Sequence, residues 1–180
     1  MNAVRRLAAR EATPAEAPAL AALINSAYRG ETSRAGWTTE ADLVGGQRVD
    51  IERLTEIIST PDNVILLHAT PDANGALVAC VHLERTGNEC YLGMLTVSPT
   101  MQGRGLGGRL LETAESWAVE HWGARAMHMT VLAQRPDLIP WYERRGYQRT
   151  GQRKPFPYGD ERFGLPRRPD LVFEVLRKPL

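Results

Sequence analysis

Residues 98–113 read SPTMQGRGLGGRLLET, with four glycines in the six positions 103–108. Glycine costs a helix about 1 kcal/mol per position relative to alanine, so this density at the start of an apolar periodic run asks for a compensating use. Main chain free of side chains can approach a phosphate closely, and unpaired N–H groups at a helix start point at negative charge. Three phosphate-binding patterns compete for the stretch. Gly103, Gly105 and Gly108 spell the G-x-G-x-x-G of a dinucleotide site, but that pattern follows directly on a first strand and needs an acid about twenty residues on for a ribose hydroxyl. Here residues 98–102 intervene, the motif lies past mid-chain, and the next strand, residues 127–131, runs into Leu132-Ala133-Gln134 without an acid. A nucleoside-triphosphate loop fails because Arg109 and Leu110 stand where lysine and a hydroxyl residue should touch phosphate and magnesium. What remains, beside a glycine-rich helix start with no ligand, is a pyrophosphate held on backbone amides as a strand turns into a helix. Gln102-Gly103-Arg104-Gly105-Leu106-Gly107 gives the Q-x-x-G-x-G that such a site uses. Each amide bonded to a charged oxygen contributes roughly 1.5 to 3 kcal/mol, and the helix dipole up to about 2 more.

Outward from this point the chain reads as a single domain over residues 1–180. Its 180 residues, 43% hydrophobic and 24% charged, suffice for a core without staples. No run approaches the roughly 20 apolar residues of a membrane span, and MNAVRRLAARE carries no apolar signal core, so a cytoplasmic protein without a membrane partner is expected. A formal net charge of +1 argues against nucleic acid as a partner. Cys80 and Cys90 are too few for a disulfide framework and lack metal-ligand spacing, and the four histidines are scattered, so no metal is expected.

Residues 4–11 read as a short strand. Thr13, Pro14 and Glu16 form a capping box for a helix to about residue 28 with a stripe of Ala17, Leu20, Ala21 and Ile24. Thr38 or Thr39 and Asp50 look like caps of two further short helices. Residues 64–69, 76–83 and 90–97 are apolar runs separated by turn chemistry, an antiparallel meander. A helix over residues 105–121, with Leu106, Leu110, Ala114, Trp117 and His121 on one stripe, leads to a strand over 126–131, which implies parallel pairing. Residues 137–145 make a short helix stopped by Gly146, with Pro140 tolerated in its first turn. Strands over 147–150 and 171–177 enclose a loop, residues 151–170, long enough to shape a site.

With these elements in place the chain resembles the GNAT superfamily of N-acetyltransferases over nearly its whole length. The likeness rests on YLGMLTVSPTMQGRGLG, which matches the superfamily's acetyl-CoA motif, and on PWYERRGY, which matches its late helix and following strand. The resemblance implies an α/β (α+β) fold: a mixed, mostly antiparallel central sheet of six to seven strands flanked by helices, splayed at its fourth and fifth strands, residues 90–97 and 126–131. It implies acetyl-CoA as co-substrate, with backbone groups near Leu95 and Val97 on the pantetheine arm. Amides from Gln102, Gly103, Arg104, Gly105, Leu106, Gly107 and Gly108 then bind the pyrophosphate. Gly93 interrupts an apolar strand, which marks either a bulge or a close-packing glycine. A bulge there would open a slot in which the pantetheine amides pair with strand edges. Gln134-Arg135-Pro136 departs from the superfamily pattern, where an asparagine often lies between strand and helix.

An acceptor amine with a lysine-like pKa near 10.4 is neutral in only about one molecule in 2,500 at pH 7, a cost of roughly 4.6 kcal/mol that a base can partly recover. Strand alternation puts Val78, Cys80, His82 and Glu84 on one face beside the Gly93 strand, which makes Glu84 the first candidate base and His82 its reserve; a solvated Glu84 beside Arg85 is the alternative. By resemblance Tyr142 is the general acid that protonates the leaving thiolate, against the alternative of a core-filling aromatic. Neither cysteine is placed for activation, so a ping-pong route is disfavoured. The acceptor, a small molecule or a protein amine, is expected between residues 29–37 and 151–170. Glu31, Trp37, Phe156, Tyr158, Asp160, Glu161 and Phe163 suit an ammonium there, whereas Arg153, Lys154, Arg162, Arg167 and Arg168 suit a carboxylate. A catalytically silent CoA-binding or sensing module is the rival function. Oligomeric state, a homodimer included, is left open.

Overall fold

The computed structural model describes residues 8–70 and 75–180. The first half of the expected first strand and the middle of the turn after residue 70 lie outside them; of that strand, β1 (Arg10–Glu11) is seen. The Thr13 N–H donates to the Glu16 carboxylate (2.9 Å) across a 3-10 turn at Pro14–Glu16 and launches α1 (Ala17–Tyr28), whose expected stripe is buried. Gly30, with φ of 67°, turns the chain straight into the short α2 (Gly30–Ser33). No helix follows Thr38 or Thr39. Thr39 Oγ1 accepts from the Ala41 N–H (3.2 Å) in a turn before β2 (Val44–Gly45), because buried side chains described below hold this segment irregular. Asp50 does cap α3 (Ile51–Ser59), accepting the Arg53 N–H at 2.7 Å.

The meander is β3 (Asn63–Ala69), β4 (Leu77–Thr86) and β5 (Glu89–Val97), followed by α4 (Leu106–Trp122) and β6 (Ala126–Leu132). On α4 the buried face is Leu106, Leu110, Leu111, Ala114 and Ala118. Trp117, partly buried, packs against this core as expected, whereas His121 is exposed and stacks on the Trp117 ring, 4.2 Å between centroids. After α5 (Leu138–Glu143) comes β7 (Gln148–Pro155), longer than expected. All eight of its residues are exposed, because it is an edge strand and has no apolar alternation to betray it. The anticipated loop shrinks accordingly and contains β8 (Leu165–Pro166), paired with β2, before β9 (Val172–Pro179).

The main sheet has seven strands in the order β1-β3-β4-β5-β6-β9-β7, antiparallel throughout except at the β5–β6 junction. Alternate strand residues feed two cores. Val64, Leu66, Ala79, Val81 and Leu83 pack against α4 and α5, whereas Ile65, Leu67 and Cys80 pack against α1 and α3. The fold is therefore the mixed, helix-flanked sheet anticipated from the sequence.

The β5–β6 junction decides where a ligand can enter. Opposite β4 the register slips between Cys80↔Thr96 and His82↔Gly93, so β5 carries one residue more than its partner. That bulge puts Met94, rather than Gly93, in the left-handed region at φ 50°, a conformation costing a non-glycine residue roughly 1 to 2 kcal/mol. β5 and β6 then pair only at Cys90↔Met127 and Tyr91↔His128 and diverge towards Val97.

Candidate active site

Two cavities meet at the splay. One, of about 270 Å³, runs along the diverging end of β5 and the start of α4, between Val97, Gly103, Gly107, Trp141 and Tyr142. The other, of about 600 Å³, lies on the opposite side of the splay against β4, α3 and the segment before α3; His82, Glu84 and Gly93 line it. Tyr142, Tyr28, Leu95 and Leu138 line both.

At the first cavity the four glycines divide by task. Gly103 and Gly105 have φ of 78° and 77°, and a Cβ on either would meet no protein atom within 4 Å. Gly105 is the N-cap of α4 and offers no side chain, so the first-turn N–H groups of Leu106, Gly107 and Gly108 point outward from a 17-residue helix. Gly107 and Gly108 lie close to side chains instead: a Cβ at Gly107 would make ordinary contact with Trp141 at 3.5 Å, and one at Gly108 would come 3.3 Å from the Arg145 guanidinium. The exposed guanidinium groups of Arg104 and Arg109 flank the turn without a carboxylate partner among the described residues. Bare amides, open approach and unmatched positive charge fit a diphosphate.

Gln102 has a role that the glycine pattern did not suggest. Its Oε1 accepts the Trp37 N–H (2.8 Å), and its Nε2 donates to Thr38 Oγ1 (2.8 Å) and the Val97 carbonyl (3.0 Å). The side chain thus staples residues 37–38 to the end of β5, leaving only its backbone for a ligand. The Leu95 carbonyl accepts from the Tyr28 hydroxyl. Each of these two carbonyls keeps a second lone pair for another donor.

Beneath this loop lies an ion cluster. Glu40 bridges Arg29 and Arg135, whose Nη1 is 3.6 Å from its Oε1, and all three side chains are almost wholly buried. Arg135 also donates to the carbonyls of Thr38 (3.1 Å) and Trp37 (3.4 Å). The departure at Gln134-Arg135-Pro136 is therefore where this chain braces the loop over its first cavity. No local sequence signal pointed to Glu40.

Tyr142 is buried, and its hydroxyl makes no hydrogen bond to a described group, although it is not sealed from the cavities. Burial pushes its phenol well above the ordinary tyrosine range. Tyr147, by contrast, is the core aromatic and donates to Glu115 at 2.9 Å. Cys80 and Cys90 are free, and burial pushes both thiols up to about 12, which leaves no thiolate for a nucleophile.

In the second cavity Glu84 is half-buried opposite Tyr91, and His82 is buried opposite Gly93. His82 Nε2 lies 2.8 Å from Asn63 Oδ1, and Asn63 Nδ2 donates to the Pro61 carbonyl at 3.1 Å. The second bond fixes which end of the amide faces the ring, so Nε2 carries the proton and Nδ1 keeps its lone pair beside Gly93. Burial, with the charges of Arg53 and Arg48, pushes the imidazole down to about 4, so it is neutral at pH 7. Asn63, one residue before the strand expected from residue 64, opens β3.

The loop of residues 151–170 contributes less than expected. Phe156, Arg162 and Phe163 line the second cavity, while Trp37 lines the first. Tyr158 donates to the Arg168 carbonyl (2.7 Å), Arg153 pairs with Glu174 and Arg168 with Asp170, so these groups are engaged elsewhere. Their place is taken by Arg48 and α3, which the sequence had not connected with the site. Among the described residues no helix is long and apolar enough to cross a membrane.

The sequence profile described as Acetyltransferase (GNAT) family matches residues 22–147. Solved structures share the fold at low identity. A nourseothricin acetyltransferase is 20% identical, aligns over 66% of this chain and 66% of its own, and gives a TM-score of 0.54. A spermidine N-acetyltransferase from Vibrio cholerae is 14% identical over 96% and 95%, with a TM-score of 0.65. A GNAT family acetyltransferase from Elizabethkingia anophelis with acetyl-CoA bound is 15% identical over 72% and 82%, with a TM-score of 0.54.

Proposed function

Since the chain belongs to the GNAT acetyltransferase family, we propose that it transfers an acetyl group from acetyl-CoA to a primary amine by direct attack, with Tyr142 as general acid. The observation that carries this reading is the position of the Tyr142 hydroxyl, unbonded at the junction of a cavity suited to a diphosphate-bearing donor and a cavity holding a neutral imidazole. Acetyl-CoA supplies the thioester. The amides of residues 103–108 hold its pyrophosphate, and main-chain groups of Leu95 and Val97 hold the pantetheine arm in the splay. As the amine nitrogen bonds to the acetyl carbon, His82 Nδ1 takes the nitrogen's proton; as the carbon–sulfur bond breaks, the Tyr142 hydroxyl gives its proton to sulfur. With ordinary values of about 10 and 8.5 that second transfer is uphill by about 2 kcal/mol. Burial raises the phenol further but raises the leaving thiol in the same low-dielectric junction, so the gap is largely kept. Glu84, two residues further along β4 on the wall of the same cavity, attracts the incoming ammonium.

Tyr142→Phe is expected to lower kcat roughly a hundredfold while changing CoA affinity less than about threefold. Thiol release across an amine panel measures the first and calorimetric titration the second. A wild-type rate in the variant would remove Tyr142 from the chemistry. Tight CoA binding by the wild type with no turnover on any amine would favour the silent CoA-binding module instead.

Asn63→Asp tests the imidazole. A carboxylate at Nε2 stabilises the imidazolium, raising His82 from about 4 towards its ordinary 6.5 or above. The wild-type base stays neutral down to about pH 5, whereas the variant's is lost as pH falls through 7. The ratio of variant to wild-type kcat/KM, in which the amine's own titration cancels, should therefore drop about tenfold between pH 8 and pH 6. A flat ratio would exclude His82 as the base.

A further inference from the structure

Arg48, between β2 and α3, stands on the wall of the second cavity with its backbone clamped from α1. Asn25 Oδ1 accepts the N–H groups of Arg48 (2.6 Å) and Val49 (3.2 Å), while Asn25 Nδ2 donates to the Val49 carbonyl (2.9 Å). Three bonds from one side chain fix the point from which the arginine projects, and its guanidinium lies 5.9 Å from the Tyr28 ring centroid. The other arginines lining the cavity each have a carboxylate: Arg29 has Glu40, Arg53 has Glu56 at 2.7 Å, and Arg162 has Asp160 at 2.6 Å. Arg48 alone of the four forms no ion pair or hydrogen bond through its guanidinium with any described group. Asp50, nearby in sequence, is engaged as the cap of α3.

A half-buried cation projecting from a fixed backbone without a counter-ion forgoes the pairing that normally offsets its desolvation. A ligand that brings a carboxylate restores it, and the planar guanidinium fork suits that group bidentately. The cavity also carries unmatched charge of opposite sign: neither the half-buried Glu84 nor the exposed Glu52 forms an ion pair among the described residues. His82, whose lone pair marks where an amine must lose its proton, lines the same cavity, near enough to Arg48 to feel its charge. An unmatched cation and unmatched carboxylates on the same wall, with a neutral base between them, are the complement of a small zwitterion; a polyamine would find Arg48 repulsive.

We propose that Arg48 forms a carboxylate subsite in the acceptor cavity, so that the acceptor is a small molecule carrying both a primary amine, directed to His82, and a carboxylate, bound by Arg48. This rests on the acetyl-transfer reading and names its substrate class. The test uses matched pairs, an α-, β- or γ-amino acid and its carboxamide, assayed by thiol release at saturating acetyl-CoA. In the wild type kcat/KM should favour the carboxylate member of at least one pair by about tenfold or more. Arg48→Gln should reduce that preference about 10- to 100-fold, and Arg48→Lys should restore part of it. A general loss of structure would move both members of a pair alike, and CoA affinity measured alongside reports on the other cavity. A preference left unchanged by Arg48→Gln, or a wild-type preference for the carboxamide in every pair, would overturn the subsite while leaving acetyl transfer standing. If Arg48→Gln does not fold, the wild-type preference decides. CoA binding without turnover of any member would overturn the transfer reading and the subsite with it.

Discussion

Gly105→Asp will weaken coenzyme A binding by a hundredfold or more while leaving the chain folded. The expected loss is electrostatic. A carboxylate at this position sits at the amides of Leu106, Gly107 and Gly108, satisfies one of them, and repels the diphosphate from the rest. At roughly 1.5 to 3 kcal/mol for each amide-to-oxyanion bond, losing one or two of them with added repulsion costs about 3 to 5 kcal/mol. The fold is spared because a Cβ at Gly105 meets no protein atom within 4 Å and because aspartate is among the preferred N-cap residues. Against this stands φ of 77°, a conformation that aspartate and asparagine tolerate better than other side chains. Calorimetric titration with CoA, paired with a thermal melt, reads both halves. Unchanged affinity in a folded variant would mean that the pyrophosphate is held elsewhere.

The second large effect is on stability. Glu40→Gln leaves Arg29 and Arg135 buried with no carboxylate between them, and breaking one side of a buried ion cluster costs about 3 to 5 kcal/mol. Arg29 has the greater exposure to this loss: burial already lowers its pKa, its Nε has no partner, and its remaining acceptors are two long contacts to carbonyls. Arg135 keeps Asp137 and the carbonyls of Trp37 and Thr38. For a domain of this size each kcal/mol lowers Tm by about 2 to 4 °C, so a fall of roughly 10 °C is expected. Because Arg135 and Gln102 hold residues 37–38 over the first cavity, CoA affinity should weaken in the same variant. A melting temperature within about 2 °C of wild type would show that the cluster contributes no net stability.

The strands and longer helices bordering the site were legible beforehand, because their signals are local. A glycine at the end of a strand, a periodic apolar run after it and a tyrosine in a short helix ended by Gly146 are patterns within one or two turns of chain. Even the bulge was legible through Gly93, although the strained residue proved to be Met94. The edge strand β7 was cut short because it has polar residues on both faces, and alternation is visible only where one face is buried. The helix expected after Thr39 failed because a capping residue is a weak prior and burial of Arg29 and Arg135 overrode it.

The amino-acid order alone marked the glycine turn and the sheet-to-helix handover, since each depends on neighbours in the chain, and family resemblance marked Tyr142 as a candidate. Folding alone decided the rest. Arg135 meets Thr38 across 97 residues and Gln102 meets Trp37 across 65, and Asn63 finds His82 only through strand register. Whether a charge is paired or left open to a ligand, as with Arg48, depends on which side chains arrive beside it from distant segments, and no local pattern encodes that.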